Sequence, residues 1–131
     1  IEATCGKLAA RRILESELHS LEDAHEACRK RAEAGDVDGY YARNSDFHHC
    51  IYRATHNAFL EKEASRLHAM LQPYRRMQLQ VRNRMARSFA EHDAVGNAIR
   101  AGDAETAATT LRAHVIVQGD RFHDLVASLR G

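Results

Sequence analysis

The sequence has no tryptophan, a single proline and no long apolar run. A membrane-spanning helix needs about 20 consecutive apolar residues, so we expect no membrane partner, and no signal peptide is visible at the start. The formal net charge is only +1 at pH 7. Because nucleic-acid-binding domains usually carry a clear basic excess, this charge argues against direct DNA or RNA binding by these residues.

Cysteine is also scarce. Cys5, Cys28 and Cys50 are odd in number and lack the close spacing of a metal knuckle. We therefore expect reduced, buried thiols rather than disulfides or a thiolate metal site, which is typical of a cytoplasmic protein.

Alanine, leucine, arginine and glutamate are abundant, and runs of β-branched residues are few. This composition is typical of an all-helical protein. A chain of 131 residues is long enough for one hydrophobic core and too short for two ordinary domains. The sequence predicts an all-α fold, an antiparallel bundle of about six helices, as a single domain over residues 1–131.

Helix starts and stops divide the chain. Pro73 falls inside the fourth helix and removes the hydrogen bond to the carbonyl of Ala69, which predicts a kink there. Ser88 and Glu91 form a Ser-x-x-Glu pattern that predicts a capping box at the start of the fifth helix. The predicted ranges are about 1–13, 16–34, 37–56, 58 onward through the proline, 88–102, and 103 to near the end. The other predicted N-caps are Ser16, Asp36, Asn57 and Asp103.

Three histidines stand at equivalent depths in three of these helices. His92 lies ten residues before Gly102, and His114 lies twelve residues after it. At 1.5 Å of rise per residue, both stand roughly 15–18 Å from the turn if the flanking helices are antiparallel. His48 follows its own N-cap Asp36 by twelve residues. Three imidazoles could therefore meet at one metal ion.

The donor types around this point indicate which metals would fit. Asn44 precedes His48 by four residues, so both side chains share one helix face. An oxygen donor with imidazoles suits Zn, Ni, Mn or Fe, whereas the absence of thiolate argues against a closed structural zinc site. For His92, a place one turn inside its helix would favour the neutral imidazole through the helix dipole.

The remaining histidines are less informative, because a lone helical histidine is usually a surface or satisfied core residue. His49 is rotated about 100° from His48 and is an unlikely co-ligand. His56 falls at a helix junction. Those predicted to be exposed or at a boundary are His19, His25, His68 and His123.

Two weaker clusters have alternative interpretations. Glu22 and His25 match the Glu-x-x-His pattern of di-iron proteins, but the second copy that such a site needs on a facing helix is missing, so chance explains it better. An acid-free arginine run is either a solvated face or an anion site in which Arg75 points inward to clamp a carboxylate. The run comprises Arg75, Arg76, Arg82, Arg84 and Arg87.

Two stretches of the sequence carry a recognisable motif. The first contains Asn44, Phe47, His48, Ile51, Ala54, Asn57 and Leu60. The second contains Glu91, His92, Ala98, Ile99, residues 101–105 and His114. Together they resemble the FCD domain, the C-terminal ligand-sensing domain of the FadR subgroup of GntR transcription regulators. The similarity covers essentially the whole chain, beginning with residues 1–3 and 8–10.

The resemblance implies a bundle of six or seven helices with a buried divalent metal, most simply zinc. Its ligands would be Asn44, His48, His92 and His114. The family often has aspartate where this chain has Asn44, and a neutral amide leaves the site one charge more positive. The resemblance also implies a small carboxylate effector bound at the metal, with Arg75 as its second contact, and a homodimer. Operator DNA would be bound only by a winged-helix domain upstream of Ile1.

Two functions remain open on the sequence. The first is metal-dependent effector sensing by a transcription regulator, with no enzymatic activity. The alternative is a metal-dependent helical-bundle enzyme that resembles the DinB-like proteins and activates water. That class usually takes two ligands four residues apart on its last helix, whereas Thr110 and Gln118 flank His114 at that spacing. No separate general base is evident either, so we favour the sensor.

Overall fold

The computed structural model describes residues 1–81 and 83–114, and every regular element within them is helical. The predicted all-α class is therefore confirmed. No helix in this part of the chain is long and apolar enough to cross a membrane. The helices are α1 (Glu2–Arg12), α2 (Glu15–Glu33), α3 (Val37–Ala54), α4 (Ala58–Met70), α5 (Gln72–Gln78), α6 (Arg84–Arg100) and α7 (104–114).

Local capping signals fix three of the helix starts. The side chains of Asp36, Asn57 and Asp103 each accept a hydrogen bond from the backbone N–H three residues later, at 2.9–3.1 Å. Gly35 and Gly102 precede two of these caps with φ values of +68° and +70°, a conformation that glycine adopts without strain. Both predicted Gly-Asp corners are thus confirmed, and each turns the chain back on itself.

Two predicted helix starts are wrong. The N-cap of α2 is Leu14 rather than Ser16, and the Glu17 carboxylate accepts from its N–H at 2.9 Å. The N-cap of α6 is Asn83, so Ser88 lies inside the helix and caps nothing. A Ser-x-x-Glu spacing occurs within helices as well as at their ends, and here Ser88 is buried by tertiary packing.

The predicted kink at Pro73 is a complete break between two helices. Helix α4 ends at Met70, and α5 starts with Pro73 in its first turn. Proline is well tolerated in a first turn, because the N–H that it lacks would have no helical partner there. The chain therefore has seven helices in its described part rather than the predicted six or so.

Helix α3 forms the centre of the bundle and packs against α1, α2 and α4. Its side chains Tyr40, Phe47 and Ile51 are fully buried. Cys5 and Cys28 are also fully buried, and burial raises the pKa of each thiol to about 12. The predicted burial is confirmed for these two, whereas Cys50 is only half-buried, and all three cysteines are free.

Helices α1 and α7 approach each other closely at Gly6. A Cβ atom there would lie 3.0 Å from the carbonyl oxygen of Ala107 and 3.2 Å from Cδ2 of Leu111. Gly96, in the C-terminal half of α6, has no such neighbour within 4 Å. These two glycines therefore differ in the space around them.

We expect Gly6→Ala to lower the free energy of unfolding by about 1–3 kcal/mol, because the added methyl group forces α1 away from α7. Gly96→Ala should instead raise it by about 1 kcal/mol through helix propensity. Urea unfolding of both variants checks this pair. Equal stabilisation by both substitutions would contradict the close helix approach.

Candidate metal and effector site

Three imidazoles from three helices meet inside the bundle. His48 comes from α3, His92 from α6 and His114 from α7, and one nitrogen of each lies within 4.8 Å of the other two. Their exposed fractions are 2%, 0% and 2%. Within the described ranges this is the one group of three or more such donors arranged to hold a metal. The convergence expected from counting residues is present, and ligation itself remains a prediction.

One nitrogen pair of the cluster has the spacing that a metal requires. Nε2 of His48 and Nε2 of His92 lie 3.2 Å apart. Two nitrogens bound to one tetrahedral zinc at 2.0–2.1 Å would lie about 3.3 Å apart. The rings are held in place by packing, since Phe47 stacks on His92 with centroids 4.7 Å apart.

Hydrogen bonds on the far side of two rings direct their other nitrogens inward. The Glu91 carboxylate accepts from Nδ1 of His114 at 2.7 Å. The Tyr40 hydroxyl donates to Ser88 at 2.9 Å and faces Nδ1 of His92 at 3.5 Å, where its oxygen accepts. With the protons on Nδ1, the Nε2 lone pairs remain for coordination, which is the usual arrangement of histidine ligands.

The imidazoles of His48 and His92 are neutral because they are buried. Burial lowers the pKa of His48 and of His92 well below 6.5, and the nearby positive charges act in the same direction. Neutral imidazole is the form that binds metal. The helix-dipole argument for His92 is wrong, because α6 begins at Arg84 and His92 lies near its middle.

Asn44 supplies a buried oxygen beside these rings. Its side chain lies one turn before His48 on α3, and its Oδ1 has no hydrogen-bond partner among the described residues. Leaving such an atom unsatisfied costs about 1–3 kcal/mol, which a metal or ligand contact would offset. Three imidazoles and an amide oxygen are suitable donors for a divalent metal, so the residues fit the predicted ion.

A small cavity of about 10 Å³ adjoins Asn44 and His48, roughly the room of one water molecule. Two arginines reach it from different helices, Arg75 from α5 and Arg84 from α6, with 6% and 2% exposed. Nη1 of Arg84 donates to Glu91 at 2.9 Å. The other lining residues are Tyr41, Gln78, Leu79 and Ser88.

The predicted arginine run thus divides between two environments. Arg75 and Arg84 point into the bundle, as the anion-site interpretation requires for Arg75. Arg76 and Arg87 are exposed, and Arg76 pairs with an acidic residue of α3 on the surface. Arg82 lies outside the described residues.

His68 was expected at the surface or a boundary, and this expectation is wrong, because only 4% of it is exposed. Its Nδ1 accepts from Nη1 of Arg75 at 2.6 Å, and its Nε2 donates to Oγ of Ser45 at 3.0 Å. Burial, followed by the Arg75 charge, lowers the pKa of His68 to about 3. Sequence periodicity missed this residue because its contacts depend on the break between α4 and α5.

The remaining histidines have ordinary structural roles. His25 pairs with Asp93 at 3.1 Å, and Glu22 pairs with Arg100 at 2.8 Å, so the apparent di-iron pattern is a pair of surface contacts with α6. His19 is exposed, as expected. His56 contacts Glu17 at the junction before α4, and His49 bonds a backbone carbonyl of its own helix. His123 lies outside the described residues.

An all-helical bundle around a buried histidine cluster defines the class of this domain. The family model of the FCD domain matches residues 1–116, and the chain belongs to that family. A solved structure named as a GntR of Streptococcus agalactiae has the same fold, with a TM-score of 0.70 and 21% identity. The match covers 92% of this chain and 54% of that one, so this chain spans about half its length. A comparison with curated proteins finds no match.

We expect protein purified without chelator to carry about one divalent metal ion per chain. Removing a ligand present at 100 times its dissociation constant lowers the free energy of unfolding by about 2.7 kcal/mol. His92→Ala should have the effect of the chelator, whereas exposed His19→Ala should leave metal content unchanged. Elemental analysis and thermal melts with and without EDTA measure both. No metal and an unchanged melt would contradict the site.

Asn44→Asp should tighten metal binding, because it adds a negative charge to the donor set. It should also weaken an anionic effector, which would then meet a less positive site. The matched control is Asn97→Asp, the same substitution at an exposed position of α6. Competition with a metal-binding dye measures the first effect. If both variants bind metal like the wild type, Asn44 does not contact the ion.

Proposed function

We propose that this domain senses a small organic acid for a transcription regulator. A divalent metal bound by His48, His92, His114 and Asn44 would coordinate the acid, and Arg75 would contact it from α5. The observation that carries the proposal is the meeting of three buried imidazoles beside an unpartnered amide oxygen and a buried guanidinium. Membership of the FCD family supports the same function.

The charge of such a site favours an anion. Neutral imidazoles and an amide leave the +2 charge of the metal unbalanced inside the bundle. A buried charge is costly unless an opposite charge pairs with it. A carboxylate supplies that charge, occupies open coordination positions and can accept paired hydrogen bonds from a guanidinium. The metal would act only as a Lewis acid that binds the carboxylate oxygen.

Binding at this place could be transmitted through the helices. The proposed contacts come from α3, α5, α6 and α7, so an acid would stabilise one mutual arrangement of these four helices. In a homodimer with an upstream winged-helix domain, that arrangement would set the positions of the DNA-binding surfaces. The dimer and the operator DNA partner rest on the family resemblance.

The enzyme alternative lacks a suitable base in the described part of the chain. Glu91 is the carboxylate beside the cluster, but it is engaged by both His114 and Arg84. Burial acts to raise the pKa of Glu91, yet the contacts with His114 and Arg84 outweigh it and lower the pKa. Such a carboxylate is a poor general base at neutral pH. Gln118 lies outside the described residues.

Calorimetric titration with a panel of small carboxylates tests the proposed function. We expect binding to metal-loaded protein that disappears after EDTA treatment. Arg75→Gln should weaken the best ligand by about 1.5–3 kcal/mol, because a charge-assisted hydrogen bond is lost. Arg76→Gln is the matched control, since its guanidinium is the exposed neighbour.

Two results would contradict this function. Tight binding of a neutral ligand to metal-free protein would argue against an acid bound at a metal. Steady turnover of a bound acid, followed by product analysis, would favour the enzyme instead.

A further inference from the structure

The two buried arginines of the cavity have different partners. Arg84 donates to the Glu91 carboxylate at 2.9 Å, so its positive charge is paired within the protein. Arg75 has no carboxylate within 4.0 Å among the described residues. Its Nη1 donates to His68, and its Nε is buried without a hydrogen-bond partner in the same part of the chain.

His68 holds Arg75 without neutralising it. A guanidinium can only donate hydrogen bonds, so Nδ1 of His68 must carry a lone pair when it accepts at 2.6 Å. The proton then lies on Nε2, which donates to Ser45 at 3.0 Å. The ring is therefore a neutral acceptor that fixes the direction of the guanidinium and leaves its positive charge unpaired.

This arrangement gives the proposed site two centres of positive charge. One is the proposed metal among the histidines, and the other is Arg75, which lines the same cavity as Asn44 and His48 of α3. A ligand with one carboxylate, bound at the metal, leaves the second buried charge unpaired. A ligand with two carboxylates pairs with both.

We propose that the site selects small dicarboxylates over monocarboxylates, with Arg75 taking the second carboxylate and His68 acting as its positioning residue. This inference rests on the proposed function, because it assigns the first carboxylate to the metal. It adds the class of ligand. It also assigns His68 the role of orienting Arg75, a role that a purely structural histidine would not have.

The test compares acids of equal carbon number on metal-loaded protein. Suitable pairs are malonate with propionate, succinate with butyrate, and glutarate with valerate. We expect at least one dicarboxylate to bind about tenfold or more tightly than its partner, the gain of one charge-assisted contact. Since a dicarboxylate can also chelate a metal alone, the ratio must depend on Arg75.

Two nearly isosteric variants separate orientation from charge. His68→Asn keeps a neutral acceptor for Arg75, and the ratio of dicarboxylate to monocarboxylate affinity should stay within about threefold of the wild type. His68→Asp places a carboxylate beside Arg75 and imitates the ligand's second group. The ratio should then fall to about one, while metal content and monocarboxylate affinity are retained.

Arg75→Gln should likewise lower the ratio of dicarboxylate to monocarboxylate affinity to about one, and Arg76→Gln should preserve the ratio of the wild type. The test therefore does not depend on the correct folding of any single variant. Equal affinities for both acids of every pair, or a ratio unchanged in His68→Asp, would overturn the inference. Failure of the wild type to bind any carboxylate would overturn the proposed function itself. The two failures are thus distinct.

Discussion

One requirement constrains how α3, α6 and α7 lie against one another: a ring from each of these helices must reach a common point. Each of these helices must place its own histidine at the same depth and rotation, which fixes how the helices lie against one another. Neutral, fully buried imidazoles with nitrogens 3.2 Å apart gain little from each other. The hydrogen bonds of Glu91 and Tyr40 hold the rings in this arrangement, and a metal would convert it into a net stabilising contact.

The sequence predicts well those features whose cause is local. Asp36, Asn57 and Asp103 cap their helices because each side chain bonds a backbone N–H only three residues away. The meeting of His92 with His114 was predictable for the same reason. Both helices leave the tight corner at Gly102, so equal counts of residues give equal depths.

Features that depend on distant residues were not predictable. Ser88 and Glu91 have capping-box spacing, yet Ser88 accepts from Tyr40 on another helix and Glu91 binds Arg84 and His114. The same two residues fit both a capping box and a position inside a helix, and only the tertiary packing decides between them. His68 likewise appears as a polar helix residue in the sequence, because its burial requires the contact with Arg75 across the helix break.

The break at Pro73 connects this local chemistry with the proposed sensing. A continuous helix would carry residues 68 and 75 on one straight face, whereas a new helix start lets α5 take its own direction. Arg75 thereby lies in the cavity beside Asn44, whereas its neighbour Arg76 is exposed to solvent. A carboxylate in place of His68 would stabilise the same geometry. It would also pair with the guanidinium of Arg75, which could then no longer bind a carboxylate of the ligand. Because His68 is a neutral partner, the buried positive charge of Arg75 stays available to a ligand.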